Sequence, residues 1–102
     1  MKTLMTPDAA QEFRKLQDED RNHVAETLVA LNRIADGHWD YPTELISWLP
    51  DSDAGIYVLR SGPVRAFFTT TDDALVILGV TTKKSPFNII SRLVGRKDKD
   101  TN

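Results

Sequence analysis

The chain has 102 residues, enough for one domain with a single modest core. At 40% hydrophobic and 27% charged residues it has the composition of a globular protein, with no apolar run of membrane-spanning length and no basic-then-apolar leader, so a cytoplasmic protein is expected. The absence of cysteine excludes disulfide and thiolate chemistry, and two histidines, His23 and His38, argue against a histidine-based zinc site. In chain order, residues 1–5 form a short candidate strand. "TPDAAQEF" then opens a helix, with Thr6 as cap, Pro7 in the first turn and Asp8 where the helix dipole favours a carboxylate. Ala9, Phe13 and Leu16 share one face. "QDED" ends this helix and caps a second, expected over residues 20–35. Its apolar stripe is Val24, Leu28, Leu31 and Ile34/Ala35, and Gly37 is the stop.

After a loop carrying His38, Trp39 and Tyr41, "ELISWLP" fits either a strand or an extended lead-in. Three β segments follow, "IYVLRS", "VRAFFTT" and "ALVILGVTT", broken at Gly62-Pro63 and Asp72-Asp73. "SPFNIISRLVG" reads as a short C-terminal helix, capped by Ser85 and ended by Gly95. The expected fold is α+β: an N-terminal helical hairpin packed on a small, mainly antiparallel sheet, with a short C-terminal helix. A single domain spans residues 1–97 and residues 98–102 form a disordered tail.

The net charge of −2 hides a division. Residues 1–53 hold 5 basic and 11 acidic side chains, whereas residues 54–97 hold 7 basic and 2 acidic ones. Such asymmetry fits an anionic partner for the basic half, or equally an acidic helical surface beside a basic sheet rim. Closing the first hairpin symmetrically about Gly62-Pro63 sets Arg60 directly across from Arg65. Closing the second about Asp72-Asp73 sets Phe67 across from Leu78 and Arg65 across from Val80. Arg60, Arg65, Val58, Phe67, Leu78 and Val80 then share a face, with Lys84 if the last strand continues and Lys83 pointing away. Like charges directly opposite are unfavourable by about 0.2–1 kcal/mol. A phosphate between the two guanidiniums would remove that penalty, and so would acidic side chains from the first half. Lys83, Lys84, Arg92, Arg96 and Lys97 extend the basic rim, and Phe87 is either a base-stacking aromatic or the anchor of a terminal helix. Trp39, Tyr41 and Trp48 read as core and loop packing, and His23 as an exposed helical residue. His38 is a candidate base.

"IYVLR", "VR", "LVILGVTTKK" and "SPFNIISRL", in that order, resemble the core of the RelE/ParE superfamily of toxins, with the HigB-like, phage-derived branch the nearest pattern. "TPDAAQEFRKLQDEDRNHVAETLVALNRI" is similar to that family's leading helical hairpin, so the resemblance covers about residues 1–94. It implies a compact toxin held by a cognate antitoxin protein. It also implies cleavage of mRNA on the ribosome without metal or other cofactor, basic side chains stabilising the scissile phosphate while the 2′-hydroxyl attacks. Carried across residue by residue, it assigns Arg60, Arg65 and Lys84 to catalysis, and Lys83, Phe87 and Arg92 to RNA binding. The sequence departs from the pattern at Val64, where the family has tyrosine, and near Phe87 and Asn88, where no C-terminal tyrosine or histidine stands. These departures keep a second function open: a non-catalytic member of the same fold that binds a protein target, of the gyrase type, or its antitoxin only. A small accessory protein assembling through a sheet edge is a third.

Overall fold

The computed structural model describes residues 1–49, 54–82 and Ile89. Strand β1 (Lys2–Met5) leads into helices α1 (Pro7–Glu19) and α2 (Arg21–Ala35). Four strands follow: β2 (Thr43–Trp48), β3 (Gly55–Ser61), β4 (Val64–Thr70) and β5 (Ala74–Thr81).

Local chemistry sets the helix ends. Thr6 Oγ1 accepts from the Ala9 amide at 3.2 Å, with Pro7 in the first turn, as expected of a capped N-terminus. Asp20 occupies the N-cap of α2, but its carboxylate makes no capping bond and turns to His23 instead. At the far end the Gly37 amide donates to Ile34 O and the His38 amide to Arg33 O, both at 2.9 Å, with Gly37 at φ 97°. That is a Schellman motif, and the positive φ explains the glycine.

β2 to β5 form an antiparallel meander, and β1 adds beside β5 in parallel, giving the order β1-β5-β4-β3-β2. The first five residues therefore join the sheet, and "ELISWLP" resolves into a strand. The helical hairpin covers one face. Ala9, Phe13, Leu16, Leu31 and Ile34 pack there against Leu59, Val64, Phe68, Leu75 and Ile77. Leu28, on the expected stripe, is only half-buried, and Ala30 and Thr27 complete the buried face. The opposite face carries a smaller cluster of Val58, Phe67 and Ile89, with Ile46 against it. Ile89 is thus buried on the face away from the hairpin. The rest of the expected C-terminal helix, and the tail, lie outside the described residues.

Two bulges set the register. In β2, Leu45 pairs with Tyr57 and Ser47 with Ile56, leaving Ile46 as the extra residue. In β5, Ile77 pairs with Phe68 and Gly79 with Phe67, leaving Leu78 as the extra residue. The second bulge corrects the symmetric closure assumed from sequence. Arg65 faces Thr81, not Val80; Phe67 faces Gly79, not Leu78; and Val80 turns into the main core. A bulge exchanges the faces of everything beyond it. The Glu12 carboxylate of α1 accepts from the Val80 amide at 3.2 Å, tying α1 to the strand just past the bulge.

Candidate nucleic-acid interface

The β3–β4 hairpin closes as its sequence dictates. Ser61 pairs with Val64 across Gly62-Pro63, and Gly62 has φ 57°, the first central position where a type II′ turn takes glycine. Arg60 and Arg65 are consequently direct cross-strand partners, one pair in from the turn. Their row continues to Thr81 on β5. The next row, Val58, Phe67 and Gly79, is the apolar floor that Ile89 covers. The two guanidiniums therefore stand at the end of the sheet face opposite the helices, Arg60 exposed and Arg65 half-buried.

Register also delivers a carboxylate. Glu44 pairs with Val58, so it is the diagonal neighbour of Arg60 on the same face. Its Oε2 accepts from Arg60 Nη2 at 3.1 Å. The side chains are 56% and 58% exposed, so the pair contributes about 0–1 kcal/mol and yields readily to a competing anion. The Arg60 amide donates to Pro42 O at 3.1 Å, fixing the backbone below the guanidinium.

Among the sequence-derived candidates, Arg60 and Arg65 come together as expected. Lys83, Lys84, Phe87 and Arg92 lie outside the described residues. His38 is exposed on the loop after α2. His23 is not the bland surface residue expected: it is half-buried, and its Nδ1 is 2.9 Å from Asp20 Oδ1. Trp39 meets Tyr57 edge-on at 5.5 Å, as loop packing. Trp48, expected inside, is 58% exposed on β2. Glu44 was missed because its position depends on the β2 register, which a six-residue ambiguous strand with a bulge does not announce. Between α2 and β3 lies a groove of about 460 Å³, lined by Ala25, Val29, Tyr41 and Leu59 with Glu26 and Arg60. Among the described residues no cluster of histidine and carboxylate side chains could hold a metal ion.

No protein-family model matches the chain, and no curated protein matches it. A solved structure does: a chain of the archaeal RelE–RelB complex from Pyrococcus horikoshii OT3 superposes with a TM-score of 0.59, covering 82% of this chain and 97% of that one. The fold is RelE-like. At 13% sequence identity the likeness is one of fold, so the chemistry of this RelE-like sheet has to be argued from its own side chains. Among the described residues no helix is long and apolar enough to cross a membrane.

Proposed function

We propose that the protein is the toxin of a toxin–antitoxin pair and acts as a metal-independent, ribosome-dependent mRNA endonuclease in the cytoplasm. The observation that carries this reading is the Arg60–Arg65 cross-strand pair on a RelE-like sheet, with Glu44 in contact with Arg60. A phosphodiester seated between the guanidiniums gains charge as the 2′-oxygen adds to phosphorus. Fixed cations are worth most at that point. Glu44 supplies what arginine cannot, because a guanidinium stays protonated at neutral pH and cannot accept a proton. Displaced from Arg60 by the incoming phosphate, its carboxylate takes the 2′-hydroxyl proton. The 5′-oxygen leaves and is protonated by water, and the products are a 2′,3′-cyclic phosphate and a 5′-hydroxyl. Lys84 adds charge stabilisation, and Lys83, Phe87 and Arg92 contact the RNA. The HigB-like branch supplies the nearest sequence pattern, and the expected partners are the ribosome, mRNA and a cognate antitoxin.

The test is growth arrest on expression, followed by mRNA cleavage in a reconstituted translation reaction. Wild type should cleave, and the Arg60→Ala/Arg65→Ala double variant should not. The exposed apolar side chains of Val29 and Trp48, beside the α2–β3 groove and on β2, favour a second reading. In it the protein is a non-catalytic binder of a protein target, of the gyrase type or the antitoxin alone. Folded wild-type protein that arrests growth or binds a partner without cutting RNA would select that reading.

A further inference from the structure

The β3–β4 hairpin presents two like charges directly opposite each other, one pair from its turn. That end of the hairpin is held by the fewest hydrogen bonds and therefore opens most readily. The turn at this end meets a side chain of α2. A side chain on Gly62 would collide with the His23 ring, its Cβ coming within 2.7 Å of Nε2 and closer still to Cδ2. The Cδ2–Nε2 edge of the imidazole thus lies directly over the glycine. The ring is itself fixed. Its Nδ1 donates to the Asp20 carboxylate at 2.9 Å, and the His23 carbonyl accepts from Thr27 Oγ1 at 2.6 Å inside the first turns of α2. Asp20, which forgoes the usual N-cap bond, instead orients the histidine.

We infer that His23 is a positioning residue, a clamp from α2 onto the Gly62 turn that keeps Arg60 and Arg65 in register for one bound phosphate. Gly62 is then required twice, by its positive φ and by the ring that occupies the place of its side chain. Packing of the ring edge carries the effect. The hydrogen bond to Asp20 aims it.

The clamp rests on the phosphate reading for its purpose but not for its test. Amide hydrogen exchange, followed by NMR, reads the hairpin directly. In His23→Ala, exchange at Ser61 and Val64, the last pair of the ladder, should accelerate about tenfold relative to wild type, with Leu75 and Ile77 in β5 unchanged. His23→Phe, which keeps a ring without the hydrogen bond, should recover most of the protection. Pyrophosphate titration of the same proteins reads the purpose: affinity should fall in His23→Ala and return in His23→Phe. Unchanged exchange at the turn in His23→Ala, or uniform acceleration across all strands, overturns the clamp. Altered exchange with wild-type pyrophosphate binding no tighter than that of Arg60→Ala/Arg65→Ala leaves the clamp standing and removes the phosphate reading.

Discussion

At the scale of single residues, the candidate site depends on three side chains whose juxtaposition follows from register. Replacing Glu44 with glutamine leaves shape intact and removes the proposed base. In the reconstituted reaction kcat should fall by about 10²–10⁴-fold, the range of general acid–base effects, with KM unchanged or lower because Arg60 is released for phosphate. The same substitution should shift folding stability by less than about 1 kcal/mol, since the ion pair is more than half exposed. Loss of stability without loss of kcat would make Glu44 a surface partner only. The Arg60–Arg65 pairing was legible in the sequence because Gly62-Pro63 allows one tight closure. Glu44 was not, because nothing short of the β2–β3 register places it two residues diagonally from Arg60. His23 was misread for a similar reason: helical periodicity says which face a residue takes, but not that a glycine turn comes up against it.

At the scale of elements, the hairpin of helices and the meander were legible in capping residues, apolar stripes and turn dipeptides. The helix ends should respond accordingly. Gly37→Ala forces a left-handed conformation on an L-residue and should cost about 1–2 kcal/mol, measurable as a fall in the urea midpoint. Removing the Glu12 contact to the Val80 amide with Glu12→Ala should cost about 1–3 kcal/mol if that amide is left unsatisfied. An unchanged midpoint in either variant would contradict the element-level description. The β5 bulge was the principal miss. Gly79 inside "LVILGVTT" was its signal, since glycine within a strand often marks a bulge. Without it, parity along β5 sent Val80 to the wrong face.

At the scale of the whole molecule, helices on one face and the arginine pair on the other would let a chain of net charge −2 bind an anion. Acidic side chains dominate residues 1–53, which include both helices, and the arginine pair lies on the face those helices leave open. Binding to single-stranded RNA should weaken with salt at a slope of about −0.7 in log K per phosphate neutralised, and Arg65→Ala should reduce the slope by about that amount. A slope indifferent to Arg65 would place the RNA elsewhere. The most direct test of the central claim is mRNA cleavage by purified protein in a reconstituted translation reaction, with and without ribosomes, wild type against Arg60→Ala/Arg65→Ala. Cleavage that needs ribosomes and disappears in the double variant is the expected result. Intact mRNA with folded wild-type protein, or cleavage that survives loss of both arginines, would contradict it.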